Sequence, residues 1–435
     1  MNSKLVTVLA LSLAASAQET SPLRLTLHDA VALALKQNPV VILANLGVSQ
    51  TQQQQNIARS ALLPQVAGNV SETVHRVNLQ SAIGFSFPGF PQHVGPYYVF
   101  QYGGTFNAPI FDLTLWNRYR SSKIGVDVSR AQELSTREES VLLVVSQYLG
   151  SQRAAADVQA AESRVSLAQA LYNQAADLQK NGVGTGIDTL RANVQLQNEN
   201  QRLIVARTQL QTSLFGLARL LNVDPRRPIE LADQVSFFET PTIASDQTLE
   251  RAYSGRPELR QLLAQEQQAA IEVKNASDQR LPKLSVNGLW VEQGLTPSGA
   301  IPVYQYEASL EFPIFTGGRI QAERAQAGIA VRQLKQQEQD LRNRIALEVR
   351  TAIAQLDAAR NEVTVANLGV DLAKQEVEQA RDRFQAGVAN NIEVITAQDE
   401  LSRANDNQIA ALYRYNQSRA DLAHATGQME SIYAR

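Results

Sequence analysis

Side chains able to carry out chemistry are few in this chain, and their spacing is poor for catalysis. Four histidines, His28, His75, His93 and His424, never fall at metal-ligand spacing, and neither a P-loop nor an H-E-x-x-H helix occurs. The cysteine count is zero, which excludes disulfides, thiolate metal centres, cysteine nucleophiles and acylation of an N-terminal cysteine. Gly182-Val183-Gly184-Thr185-Gly186 has glycines spaced like part of a dinucleotide loop, yet it follows a helical pattern and lacks the sixth-position glycine. It reads as the turn of a helical hairpin. Two acids remain. Asp188 and Glu393 stand just past such turns at equivalent places of two repeated halves. A carboxylate there complements a helix N-terminus, worth about 0.3 to 1 kcal/mol. Gathered from several copies around a narrow mouth, the same acids would favour cations. No catalytic residue, metal or cofactor is expected, and the chain does not read as an enzyme.

The elements that would position those acids emerge from self-comparison. Val158, Ala161, Val165, Ala168, Tyr172 and Ala175 step by three and four residues, and Val363, Ala366, Val370, Ala373, Val377 and Ala380 repeat the series 205 positions later. Gly182-Val183 pairs with Gly387-Val388, Asp188 with Glu393, Leu196 with Leu401, and Pro109-Ile110-Phe111 with Pro313-Ile314-Phe315. Upstream, Asn38-Pro39 and Leu63-Pro64 match Arg256-Pro257 and Leu281-Pro282 at an offset 14 residues larger, so the first copy holds an insertion between Pro64 and Pro109. Each copy reads as a helix, two strands and a long helical hairpin whose seam alternates Ala with a larger residue. Repeat 1 spans residues 18–222, with a helix from Asp29 to Leu62, strands at 65–80 and 98–109, and a hairpin over 113–222. An equatorial segment follows at 223–255. Repeat 2 spans 256–425, with strands at 283–292 and 303–313 and a hairpin over 317–425, and residues 426–435 form a tail.

Composition agrees with long helices rather than a large globular core: 6% of residues are aromatic and 19% charged. The net charge of -2 supplies no field to recruit nucleic acid. Lys4, the apolar run Leu5–Ala15 and the small-x-small Ala15-Ser16-Ala17 read as a signal peptide over 1–17, with a mature start at Gln18.

The strands point to a membrane. Tyr304, Tyr306, Ala308, Leu310 and Phe312 alternate with Gln305, Glu307, Ser309 and Glu311, as lipid-facing and lumen-facing residues of a barrel stave do. Half-buried strands of a soluble sandwich alternate similarly. In lipid, four strands per chain cannot close, and open edges leave backbone groups unsatisfied at several kcal/mol each. Several copies must then share one barrel; three copies with 12 strands is the smallest porous solution, and four copies satisfy the same reasoning. Pro109 and Pro313, with Gly317 and Gly318, are the expected strand-to-helix junctions. Phe87, Pro88, Gly89 and Phe90, inside the insertion, are expected in an extracellular loop.

Leu25-Thr26-Leu27-His28-Asp29-Ala30, Ala61-Leu62-Leu63-Pro64, Gly255-Arg256-Pro257-Glu258-Leu259, Phe312-Pro313-Ile314-Phe315-Thr316-Gly317-Gly318-Arg319 and Phe384-Gln385-Ala386-Gly387-Val388 together resemble the TolC-type outer membrane efflux proteins over nearly the whole mature length. The resemblance implies a mostly α protein with a small β part, a homotrimer whose 12-stranded outer-membrane β-barrel continues into a long periplasmic α-helical coiled-coil barrel. It implies contact with outer membrane lipid, a periplasmic adaptor and an inner-membrane transporter, and no catalytic residues. The channel entrance would carry Glu393, Asp188, Phe384, Asn390 and Asn391. The tip turns Gly182, Val183, Gly184, Gly387 and Val388 would meet the adaptor. Ala389 and Thr396 stand where some relatives carry an arginine and an acid. The function implied is an exit duct for a tripartite efflux system in a Gram-negative-type cell. A duct for type I protein secretion fits the same residues, and a coiled-coil scaffold explains the helices but not the strands.

Overall fold

The computed structural model describes residues 22–79, 81, 84–85, 89, 91–233, 245–386, 388 and 391–434. The signal-peptide expectation therefore lies outside the described residues, as do Phe87, Pro88, Phe90, Gly387 and Asn390. In chain order the elements used below are β1 (Leu23–Leu25), α1 (Leu27–Gln37), α2 (Pro39–Ser60), β2 (Gln65–Asn78), β3 (His93–Phe111), α3 (Leu113–Lys180) and α4 (Gly186–Leu220). Then come β4 (Ile229–Leu231), α5 (Ser245–Gly255), α6 (Pro257–Asp278), β5 (Lys283–Gly294), β6 (Ile301–Glu311), α7 (Arg319–Gln385), α8 (Asn391–Ala425) and α9 (Met429–Tyr433). At 1.5 Å per residue, the 68 residues of α3 run about 100 Å.

The described residues divide into two compact units, one within 46–131 and 259–340, the other within 22–45, 132–258 and 341–434. The first holds an antiparallel sheet of order β2-β3-β5-β6. The duplication is written into its register. Gln65 faces Asn107, and the equivalent residues at the two sequence offsets, Lys283 and Glu311, also face each other. One face is largely apolar and exposed, including Val66, Val70, Val74, Tyr102, Trp290, Tyr306 and Leu310, with Glu72 and Glu292 among them. On that face Phe106 lies directly opposite Gly288 and reaches across it to the Tyr306 ring, 6.2 Å away between centroids. A Cβ on Gly288 would stand 1.9 Å from the Phe106 ring, so only glycine fits beneath the aromatic.

In the second unit, β1 pairs in parallel with β4, and Leu25, Val31, Val144, Tyr148, Leu217, Ile229 and Met429 form one apolar core. Tyr148 is fully buried and needs a partner for its hydroxyl. Its single proton is shared between the Leu25 carbonyl at 2.9 Å and Asp233 Oδ2 at 3.1 Å, and the same carboxylate oxygen accepts the Leu27 N–H at 2.6 Å. Further along, the Ala-rich seams close as expected, with Ala161, Ala168 and Ala175 buried on α3, and Ala380, Val394 and Ala397 clustered between α7 and α8.

Several boundaries differ from the sequence reading. The helix expected from Asp29 to Leu62 is two helices broken at Asn38. Pro39 begins the second as its first residue, where its missing N–H is harmless, while Asn38 takes ψ 125° and donates from Nδ2 to the Leu220 carbonyl at 2.8 Å. The second copy breaks likewise at Arg256, so α5, placed by sequence in the equatorial segment, is the counterpart of α1 and belongs to repeat 2. β2 stops at Asn78 rather than 80, and β3 begins at His93 rather than 98, with Val94 and His93 paired to Val77 and Asn78. Pro96 is tolerated there because the register slips between His75 and Val77. Pro109 does not end its strand either: it faces Ser285, and Phe111 faces Leu284 across a second irregularity. β5 reaches Gly294 and β6 spans Ile301–Glu311, ending two residues before Pro313. The junctions themselves differ between copies. Asp112 Oδ1 accepts the Thr114 N–H at 2.8 Å to start α3, whereas Gly317 and Gly318 turn the chain into α7 with φ of 59° and 84°.

Candidate channel entrance

Both long hairpins end in turns that the local sequence dictates. After α3, Gly182 adopts φ 76°, and Val183 N–H reaches the Leu178 carbonyl at 3.0 Å while Gly182 N–H reaches that of Gln179 at 3.1 Å. This is a Schellman stop, which needs a residue free to take the left-handed conformation. Gly184 is required for space instead: its Cβ would lie 2.9 Å from the Gln179 nitrogen and from Leu178 Cβ. Thr189 Oγ1 then ties the return arm back, donating to Gln179 Oε1 at 2.7 Å. Asp188 accepts the Thr185 hydroxyl and lies 4.0 Å from Arg191. Val183, Ile187, Leu190 and Val194 leave an apolar stripe exposed beside this turn.

The second turn differs. Glu393 Oε1 lies 2.9 Å from Arg383 Nε, an ion pair that crosses from α8 back to α7 with both side chains about half exposed. The entrance acid expected from sequence thus carries its own counter-ion, which spacing alone did not reveal because Arg383 lies before the turn. Val388 is exposed. The side chains of Phe384 and Asn391 lie outside the described residues. Gly89, in the insertion, is exposed with φ 93°.

A further charge cluster was missed. Arg164 on α3 lies 3.4 Å from Glu199 on α4 and 2.9 Å from Asp406 on α8, so one guanidinium joins the hairpins of both repeats. Glu199 is 3% exposed and is also held by Arg202 at 2.7 Å. Its signal was present in the sequence: Ala192, Leu196 and Glu199 step along the seam, and the equivalent positions of Arg164 and Glu199 in repeat 2 are Gly369 and Ala404. A charged pair occupies copy one where copy two keeps small residues. Nearby, burial pushes the Asp157 carboxyl up despite the Arg153 guanidinium.

Duplicated strands with one apolar exposed face, joined to paired hairpins of great length, define an outer-membrane channel protein. The profile of the outer membrane efflux protein family matches residues 30–223 and 248–428, and the chain belongs to that family. Its place is the outer membrane. Among curated proteins it is similar to the alkaline protease secretion protein AprF of Pseudomonas aeruginosa, 25% identical over 338 residues that cover 74% of this chain and 68% of AprF. It is also similar to the pyoverdine export outer membrane protein OpmQ of the same species, 25% identical over 52% of this chain and 48% of OpmQ. Its fold matches the CmeC outer membrane channel of Campylobacter jejuni with a TM-score of 0.80 at 21% identity, covering 92% of this chain and 85% of that one.

Proposed function

We propose that the protein is the passive outer-membrane exit duct of a tripartite efflux system, built from three copies that share one barrel. The observation that carries this reading is the four-stranded sheet whose outer strands, β2 and β6, keep unpaired edges in a chain of this family. An open edge in hydrocarbon is untenable, so insertion and assembly are one event. The long hairpins would continue the conduit through the periplasm. Their tips, with Gly182, Val183, Gly184, Gly387 and Val388, would dock on an adaptor that serves an inner-membrane transporter, the exposed Val183 and Val388 giving that contact an apolar centre. Glu393, Asp188, Phe384, Asn390 and Asn391 would surround the mouth. With no site for bond-making chemistry in this reading, transport is driven by the transporter and the duct is no enzyme. A mature start at Gln18 completes the proposal.

Similarity to AprF, named for secretion of a protease, favours type I protein secretion as a second reading. Membrane fractionation followed by crosslinking and planar-bilayer recording tests the first. Trimers in the outer-membrane fraction with steady conductance are expected. A stable inserted monomer, or a chain confined to the soluble fraction, would refute it. Loss of small-molecule export against loss of protein secretion in deletion cells separates the two ducts.

A further inference from the structure

The duplicated register carries information about a contact that a single chain does not make. At the two sequence offsets, β2 is equivalent to β5 and β3 to β6, and the hairpin pairings of the two repeats coincide residue for residue. The joint between the repeats, β3 against β5, then has one equivalent left to form: β6 against the β2 of another copy. We propose that these edges meet in the register the internal joint already displays. This rests on the shared-barrel reading above and adds to it which residues face which.

Thr105 faces Leu289 within the chain. The equivalent residues are Ser309 on β6 and Ser71 on β2, so Ser309 of one copy faces Ser71 of the next. Gly103 facing Val291 likewise places Glu307 opposite Thr73, and Phe106 facing Gly288 places Leu310 opposite Val70. Chemistry supports the assignment. The polar row pairs Ser with Ser and Glu with Thr, while the exposed, mostly apolar row pairs Leu310 with Val70 and Tyr306 with Val74, with Ala308 opposite Glu72 between them. A slip of one residue would oppose Leu310 to a serine and mix the two faces, so competing registers differ by two. Closure also fixes the total stagger around the ring, and an even step at every joint distributes it without local distortion. Passing from Gln65 through Asn107 to Asn287, the equivalent of Asn69, moves four residues along the strand for one repeat. The proposed joint keeps that step constant around the ring, and any slip by two breaks it at every chain boundary.

Cysteine crosslinking decides the register, since the chain contains no cysteine to give background. The double variant Ser71→Cys with Ser309→Cys is expressed in full-length protein and treated in outer membranes with a short thiol-reactive bis-methanethiosulfonate, which forms a disulfide with each cysteine and releases sulfinate. Covalent trimers are expected, at least ~5-fold above Asn69→Cys or Thr73→Cys paired with Ser309→Cys, because diagonal neighbours lie about 7–8 Å apart against about 5 Å for direct ones. Thr73→Cys with Glu307→Cys reports the same register should the first pair impair assembly. Preferential linking of a shifted pair overturns the register while leaving the shared barrel intact. Chains that run as monomers with every pair, in membranes where untreated protein is also monomeric, overturn both.

Discussion

Arg256 offers the strictest test of how the helices are anchored. It is 5% exposed, with Nη1 2.8 Å from Glu348 and Nε 3.1 Å from Glu258, and the same guanidinium donates to the His424 and Ala425 carbonyls at 3.4 and 3.5 Å. Those carbonyls close α8, whose stop is a Schellman turn at Gly427, φ 66°. Arg256→Ala removes the donors and leaves two carboxylates without their cation. Both are about one-third exposed and rehydrate, so the loss falls below that of a fully buried pair, about 2–3 kcal/mol. At 1.4 kcal/mol per factor of ten, hydrogen exchange at the Thr426, Gly427 and Gln428 amides should quicken about 30- to 150-fold if it proceeds by local opening. The equivalent Asn38→Ala removes one neutral bond to Leu220 and one from Val40, about 1–2 kcal/mol, for a smaller effect at Asn222 and Val223. Exchange measured by mass spectrometry on the detergent-solubilised protein gives the comparison. Unchanged protection in Arg256→Ala, or a larger effect from Asn38→Ala, would refute the view that these residues latch the helix ends.

At the tip, Glu393→Gln should lower cation over anion permeability by about twofold and Arg383→Gln should raise it, since each unmasks the partner's charge; Asp188→Asn should act more weakly, and reversal potentials in a salt gradient measure all three. Burial raises the Glu138 carboxyl even though Met429 and Glu430 N–H groups donate to it at 2.8 and 3.2 Å. The folded state then holds that proton more tightly than the unfolded chain, so stability contributed there is greatest in acid and declines as pH rises from about 4 toward neutrality. Glu138→Gln should flatten that slope in thermal unfolding followed across the same range. Asn222 takes φ 53° at the stop of α4, where Gly427 serves α8; Asn222→Gly should be neutral or stabilising by a few tenths of a kcal/mol and Asn222→Ala destabilising by about 1 kcal/mol, read as a shift in melting temperature. A tag inserted at Gly89 should be reached by antibody on intact cells, and access only from the periplasm would invert the topology.

Much of this was legible because duplication reports geometry. Two offsets differing by 14 residues, read from Leu63-Pro64 and Pro109, already contain the matched registers of the sheet. Glycine and the seam alanines likewise located the turn at Gly182 and the long α3. The failures share a cause. Asn38-Pro39 was visible, but whether proline kinks a helix or starts a new one depends on the Leu220 carbonyl, 182 positions away. Pro109 looked like a strand stop because ladder bonding forbids proline, and only the irregularity opposite Leu284 and Ser285 removes that objection. Arg383 escaped notice since nothing local says which residues of two antiparallel helices meet across a turn.

Where the copies agree and where they part divides the molecule by physical demand. Each repeat must end its last helix and break its first, and both solve this alike: a left-handed residue, Asn222 or Gly427, with a side chain from the break, Asn38 or Arg256, on the exposed carbonyls. That problem is internal to a repeat, so its solution survives duplication. At the seams and tips the copies diverge. Arg164 and Glu199 occupy in copy one the places that Gly369 and Ala404 hold in copy two, and Glu393 is paired across its turn while Asp188 is held at the start of its own helix by Thr185 and Arg191. In the proposed assembly these positions would meet neighbours that differ for the two copies. In a three-fold assembly the two hairpins of a chain are never equivalent, so symmetry breaking concentrates where that inequivalence is felt. The Arg164 cluster fits this account, since Asp406 lets it couple the two hairpins directly. Arg164→Gln would then loosen repeat 1 against repeat 2 without altering either Schellman turn.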